Sequence, residues 1–219
     1  MVTSAGAAAV ELPALLGADY QARWSQLSRR WAERPGTRLG TLGPEGTSSD
    51  VTARYLAERF DLRLALLGSF DEVLDELVRG GIDSALVPSA SQGITRFHWH
   101  PAVRLQAFFP HPTPEYGIAL PRTAAGPPAG EGPVRVATIW EVRRVYHEVV
   151  PAALAGRPVD WVDAASTQHA AELLAAGQAD LAVTNSSGVA AHGLRWLARR
   201  PGAEIVWTVF GGPEDLDAR

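Results

Sequence analysis

The sequence predicts an α/β fold of two similar lobes with a cleft between them, and three observations predict it. Short β-rich runs alternate with helical patterns along most of the chain, which is the grammar of sheets with helices on both faces. A segment also recurs: SFDEVLDELVRGGIDSALVPS, Ser69 to Ser89, overlays STQHAAELLAAGQADLAVTNS, Ser166 to Ser186, without a gap. The overlay pairs Leu77 with Leu174, Gly80 with Gly177, Asp83 with Asp180 and Ala85 with Ala182. Finally, each copy reads as a helix, a glycine stop and a buried strand ending in small polar residues, and the carboxyl edge of an open α/β sheet is where ligands bind.

In chain order, residues 1–36 form an N-terminal extension: a mobile tip, then a helix in ADYQARWSQLSRRWAERPG with Tyr20, Trp24, Leu27 and Trp31 on one face. Pro35 and Gly36 stop it. The stripe is expected to pack on the domain or on another subunit, which leaves a homo-oligomer open. The first series follows: strand TRLGTLG, helix SSDVTARYLAERF, strand LRLALLG, helix FDEVLDELVRGG and strand SALVPS. PRTAAGPPAGEGP, Pro121 to Pro133, has the composition of a surface loop. The second series is strand VRVATIW, helix EVRRVYHEVVPAALA, strand VDWVDA, helix TQHAAELLAAG, strand LAVTNS, helix GVAAHGLRWLARR and strand EIVWTVFG. The domain thus spans 37–219, its first lobe about 37–115 plus a returning segment of about 188–212, and its second lobe about 116–187.

Composition removes several chemistries. The 219 residues are 46% hydrophobic and 20% charged, enough to bury a real core. A net charge of -4 gives no basic footprint, so nucleic acid is not an expected partner. No apolar run approaches the about 20 residues of a membrane span, and the alanine-rich start lacks the positive flank of a secretory signal, so a cytoplasmic protein is expected. Cysteine is absent, which removes thiolate nucleophiles, cysteine zinc sites and disulfides. Lysine is absent too, all 20 basic residues being arginine, and with it go Schiff-base chemistry, a pyridoxal phosphate anchor and a phosphate-loop lysine.

The hydroxyl-rich strand-to-helix corners carry the binding signal. In GTLGPEGTSSD, Gly43 and Gly46 permit unusual backbone angles, Thr47 or Ser48 suits a helix N-cap, and amides at a helix N-terminus attract anions. Neither G-x-G-x-x-G nor G-K-[S/T] is present, so a small carboxylate suits the turn better than a phosphate. Similar corners occur at VPSASQG, AASTQ and VTNSSG. Each is also what a helix cap alone requires; together at one sheet edge they suit an acid with several carboxylates. His98 and His100, in FHWHP, fall on one side of an extended segment, but a third metal ligand at diagnostic spacing is missing and no metal or cofactor is expected. No G-x-S-x-G elbow is present.

LGTLGPEGTSSDVTARYL, GIDSALVPSASQG, STQHAAELLAAGQADLAVTNSSGVAAHGL and the terminal WTVF together resemble the catalytic domain of prephenate dehydratase from about Thr37 to Phe210. The resemblance implies a bilobal, periplasmic-binding-protein-like (type II) fold with prephenate in the cleft. The chain departs from the dehydratase pattern in three places. Where dehydratases carry Pro-Ile-Glu-Asn-Ser it has Pro88-Ser89-Ala90-Ser91, and where they carry Thr-Arg-Phe it has Thr208-Val209-Phe210. The segment after Phe210 also leaves no room for the regulatory ACT domain that often follows. These departures, with TLGPEGTSS and the stretch from VPSASQGITRFHWHP through FFPHPTPEYGIAL, are similar to the prephenate decarboxylase branch of antibiotic pathways such as bacilysin biosynthesis.

That resemblance implies a cofactor-independent loss of the ring carboxylate of prephenate with retention of the ring hydroxyl, giving dihydro-4-hydroxyphenylpyruvate. The cyclohexadiene acts as its own electron sink, and the protein aligns the breaking bond, holds the pyruvyl carboxylate and delivers a proton. By correspondence, Thr47, Ser48 and Ser49 bind a substrate carboxylate. Ser89 and Ser91 replace the dehydratase Glu-Asn-Ser contacts, Ser166, Thr167, Thr184 and Asn185 approach from the second lobe, and Thr208 lies near the ring. His98, His100, His147 and water are the candidates for proton donor. A dehydratase giving phenylpyruvate, an enzyme for another chorismate-derived acid, and a non-catalytic small-carboxylate binding module are the alternatives.

Overall fold

The computed structural model describes residues 8–212, which form two five-stranded sheets, each with helices on both faces. Helix α1 (Ala8–Glu33) precedes the first sheet, and its apolar stripe faces that sheet. Leu27 and Trp31 are buried in the first-lobe core, and the Trp24 indole donates to the Phe108 carbonyl at 2.9 Å. The stripe therefore packs on its own domain. Burying each such large side chain contributes about 1.5–3 kcal/mol. The tip expected before the helix lies partly outside the described residues; from Ala8 onward the chain is helical.

The first sheet contains β1 (Arg38–Leu42), β2 (Arg63–Leu67), β3 (Ser84–Pro88), β4 (Arg104–Pro112) and β10 (Glu204–Gly211), in the order β2-β1-β3-β10-β4. The second contains β5 (Tyr116–Pro121), β6 (Val134–Thr138), β7 (Val159–Asp163), β8 (Leu181–Asn185) and β9 (Leu194–Arg200), in the order β7-β6-β8-β5-β9. The layouts match: three parallel strands, then two that run antiparallel to their neighbours. Helices α2 (Ser48–Phe60), α3 (Phe70–Val78) and α4 (Ile94–Trp99) cover the first sheet together with α1, whereas α5 (Arg143–Val149), α6 (Thr167–Ala175) and α7 (Ser186–Ala191) cover the second.

The sequence overlay survives in atomic detail. Ser69 and Ser166 cap α3 and α6 by accepting the N–H of Glu72 and His169. Gly80 and Gly177 follow the two helices with φ of 74° and 73°, a left-handed conformation that glycine adopts without a Cβ penalty. Asp83 then accepts the Arg38 amide at 2.7 Å, and Asp180 accepts the Arg135 amide at 2.9 Å, tying each β-strand to the loop before its neighbour.

Three local expectations are corrected. The helix expected over GVAAHGLRWLARR ends at Ala191, because Gly193 turns the chain with φ of 60°, and LRWLARR becomes strand β9. Residues 194–200 accordingly pair with β5 in the second sheet, and the return to the first lobe runs through Pro201–Ala203 rather than starting near residue 188. FHWHP is not extended: Phe97, His98 and Trp99 are on α4. The same stretch leads to β4 and β5, neither of which the sequence reading assigned.

Candidate active site

All six parallel strands end at the cleft, so their following corners converge there. The corner after β1 is built first by its own residues. The Gly43–Pro44 peptide is cis, and Gly46 has φ of 84°. Thr47 accepts the Asp50 N–H at 3.1 Å, and Asp50 in turn accepts the Gly46 N–H at 2.8 Å, a reciprocal cap of the α2 N-terminus. Buried Asp50 is balanced by Arg54, whose Nε lies 3.0 Å from it; this hydrogen bond raises the Arg54 pKa above its usual value. The Thr47 hydroxyl donates to the Leu42 carbonyl at 2.9 Å, so it is committed to the turn. Ser48 and Ser49 are the hydroxyls of this corner that also line the cleft without a bond to the turn's own carbonyl.

The second lobe holds the same turn from across the cleft. The Gly46 carbonyl accepts Gln168 Nε2 at 2.7 Å and Asn185 Nδ2 at 2.9 Å. Asn185 Oδ1 also accepts the Gly188 N–H at 2.8 Å, which fixes the amide's orientation. A Cβ on Gly46 would sit 2.7 Å from Gln168 Nε2, so glycine is required both by the backbone and by this contact. Nearby, the hydroxyls of Ser48 and Tyr116 share a hydrogen bond between the lobes. Tyr116 keeps part of its surface on the cleft yet is otherwise surrounded by protein. That desolvation raises its hydroxyl pKa above the usual phenol value, with the Ser48 hydrogen bond pulling the other way.

Between the lobes lies a cleft of about 520 Å³. Phe70, Ile139, Trp140, Ile205 and Trp207 form its apolar wall, and Arg200 is the one cationic side chain among the described residues that line it. Arg200 also meets Glu148 at 2.5 Å. Two carboxylates reach the lining, Glu141 and Asp163; Asp163 is paired with Arg143, whose guanidinium lies 5.1 Å from the rings of both Trp140 and Trp161.

The nominated residues divide into two groups. Thr47, Ser48, Ser49, Ser91, Ser166 and Thr167 all line the cleft. Ser166 accepts the His169 N–H at 3.0 Å and Ser91 the Gly93 N–H at 3.3 Å, which leaves each hydroxyl proton as a donor. Ser89, Thr184, Asn185 and Thr208 are not in the lining. Ser89 is exposed, with its amide on the Val206 carbonyl at 2.8 Å. Thr184 is buried and donates to the Thr167 carbonyl at 2.7 Å, and Thr208 is buried and donates to the Val87 carbonyl at 2.6 Å. Asn185 supports the site by gripping Gly46. Sequence reasoning missed Tyr116, Gln168 and Arg200, although Gln168 stands in the quoted AASTQ and Tyr116 in PEYGIAL. No group of three or more His, Cys, Asp or Glu side chains suited to a metal occurs among the described residues, nor is any helix there long and apolar enough to cross a membrane.

No protein-family model matches the chain. A prephenate decarboxylase of Planktothrix agardhii (strain NIVA-CYA 126/8) is 31% identical over 188 residues, covering 78% of this chain and 86% of the relative. A prephenate decarboxylase of Bacillus subtilis is 26% identical over 194 residues, covering 82% of this chain and 88% of that one. Among solved structures, prephenate dehydratase from Arthrobacter aurescens in complex with L-Phe superposes with a TM-score of 0.59 at 19% identity. The alignment covers 81% of this chain but 61% of the dehydratase, so this chain spans less than two thirds of its length. A periplasmic substrate-binding protein of an ABC transporter from Coxiella burnetii gives a TM-score of 0.52 at 14% identity, covering 83% and 86% of the two chains. These superpositions establish a bilobal type II periplasmic-binding-protein-like fold.

Proposed function

The chain belongs to the prephenate decarboxylase family, and we propose that it expels the ring carboxylate of prephenate as CO2, keeps the ring hydroxyl and releases dihydro-4-hydroxyphenylpyruvate, in the biosynthesis of a non-proteinogenic amino acid or antibiotic. Prephenate is a dianion with an apolar ring, and the observation that carries the reading is how well the cleft suits that combination. Hydroxyls from Ser48 and Ser49 stand at the N-terminus of α2, and those of Ser166 and Thr167 at the N-terminus of α6, where aligned peptide dipoles favour a carboxylate. Arg200 adds a full positive charge, while Ile139, Trp140 and Ile205 offer apolar surface to the ring.

Within this reading the chain's chemical work is limited. The breaking bond must stand along the π system of the diene, whose two double bonds take up the electron pair. Binding the pyruvyl carboxylate on fixed hydroxyls and amides holds that alignment without reorganisation as charge develops. A proton must then reach an allylic ring carbon. Loss of the hydroxyl instead would aromatise the ring.

Product analysis tests the proposal. Purified protein incubated with prephenate is expected to release CO2 and to yield a non-aromatic acid that retains the hydroxyl, read by mass and ultraviolet spectrum. Phenylpyruvate would identify a dehydratase, and binding without turnover would identify a carboxylate-binding module; either outcome overturns the reading.

A further inference from the structure

The reaction needs a proton donor, and the histidines nominated from sequence are not in the cleft lining. The His98 ring packs edge-on against Phe210 at 5.0 Å, His100 Nδ1 accepts the Ala102 N–H at 3.2 Å, and His147 packs edge-on against Tyr146 and Trp161. Among the described lining residues, four are ionisable: Tyr116, Glu141, Asp163 and Arg200. Asp163 is engaged in an ion pair with Arg143. Glu141 is exposed at the cleft mouth, where its carboxylate accepts the Gln92 N–H at 3.4 Å. Arg200 is held in an ion pair with Glu148 at 2.5 Å. Tyr116 is left.

Its position supports more than elimination. Tyr116 opens β5 at the cleft end of the second sheet, in register with Asn185 of β8 on one side and Arg200 of β9 on the other. One neighbour thus grips the Gly46 carbonyl, and the other is the cationic residue of the cleft lining, opposite Tyr116 in the strand register. From the opposite lobe, Ser48 reaches the Tyr116 hydroxyl from the first residue of α2, a 13-residue helix.

We propose that Tyr116 donates the proton that completes decarboxylation, with Ser48 positioning it and stabilising the phenolate that forms. The inference rests on the decarboxylase reading above. The bond from the ring to its carboxylate breaks, CO2 leaves, and the electron pair moves through the adjacent double bond. The allylic carbon forms a C–H bond with the Tyr116 proton as the O–H bond breaks. The phenolate accepts a hydrogen bond from Ser48, is favoured by the positive end of α2, and is reprotonated by water. Desolvation keeps the phenol protonated beforehand, and a carbanionic ring carbon is basic enough to take its proton.

The test compares wild type with Tyr116→Phe in deuterated water, with prephenate as substrate. We expect kcat to fall by about 100-fold or more, KM to stay within about threefold, and residual product to lose the facial selectivity of deuteration seen with wild type. A kcat within about threefold of wild type overturns the inference, as does a rise in KM with kcat retained, which would make Tyr116 a binding group only. Failure of the wild type to release CO2 overturns the functional reading instead. Should Tyr116→Phe fail to fold, 3-fluorotyrosine at the same position keeps the shape and makes the phenol more acidic. Its kcat should change with KM unaltered, and an unaltered kcat would overturn the proposal.

Discussion

The corners that follow β1 and β6 begin alike and end differently. β1 opens with Arg38 and β6 carries Arg135 as its second residue, and each arginine amide is held by an aspartate just before a neighbouring strand, Arg38 by Asp83 and Arg135 by Asp180. Beyond the strands, the first lobe makes the Gly43–Ser49 turn, with a reciprocal cap and a carbonyl offered across the cleft. The second lobe instead makes a short 3-10 helix, Trp140–Val142, with no side-chain cap, and leaves Trp140 62% exposed at the cleft. One scaffold, used twice, has therefore been specialised only at its edge. Both lobes supply hydroxyls at a helix N-terminus and part of the apolar wall, while the second alone adds the amides that grip the turn, and Tyr116. The Ser69 and Ser166 corners kept the same cap in both lobes.

The largest way to break this arrangement is Gly46→Ala. Its backbone has positive φ and its Cβ would collide with Gln168, so we expect a stability loss of about 1–3 kcal/mol in urea melts and a KM for prephenate raised by about tenfold or more. Gly177→Ala is the matched comparison: φ is also positive, yet nothing lies within 4 Å of the added Cβ. It should cost only about 1–2 kcal/mol and leave KM unchanged, and equal KM effects would remove the interlobe contact from the explanation.

A smaller test sharpens the comparison between the caps. Ser69→Ala and Ser166→Ala should each cost about 1 kcal/mol in thermal melts, because both remove an N-cap. Ser166 is the one nominated to bind substrate, so its variant should raise KM more; equal KM values would reduce Ser166 to a cap.

The smallest effect concerns the strand ties. Asp180 meets the Arg135 guanidinium at 2.7 Å, whereas the nearest ion-pair approach of Asp83 to Arg38 is 3.7 Å. Asp180→Asn should thus cost about 0.5–1 kcal/mol near pH 7, and Asp83→Asn less. The Arg135 hydrogen bond holds the Asp180 pKa below its usual value. Its contribution is accordingly full above the unfolded carboxyl value of about 3.9 and is lost as pH falls through the lower folded value. Urea melts from pH 7 to pH 2 should show a shallower acid decline for Asp180→Asn than for wild type.

Much of this molecule was legible where local pattern and tertiary role agree. Helix Ser48–Phe60 and the repeated helix, glycine and strand unit follow from periodicity, caps and glycine stops that each act over a few residues. Legibility failed where antiparallel strands join the parallel core, at β4, β5 and β9. β4 contains Pro110 and Pro112, which argue against a strand, but it is an edge strand with one unpaired side, where proline is tolerated. β9, an edge strand of the other sheet, has Leu194 and Leu197 in a spacing that fits a helix continuing from α7, but Gly193 turns the chain before them. The candidate site was half legible for a related reason. Hydroxyls at helix N-termini announce themselves in sequence, whereas Tyr116, Arg200 and Gln168 come to the cleft through strand pairings and an interlobe contact that no short motif encodes.

The chain crosses between lobes twice, at Thr113–Glu115 and at Pro201–Ala203, and the crossings are fastened to each other. Thr113 N donates to the Ala203 carbonyl at 2.8 Å, the Ala203 N–H returns to the Thr113 hydroxyl at 3.0 Å, and a Cβ on Gly202 would lie 1.9 Å from the Thr113 carbonyl. The two crossings are thus coupled to each other rather than independent strands of linker. The Ser48–Tyr116 and Gly46–Gln168 hydrogen bonds both bridge the lobes, so any parting of the lobes would break them together.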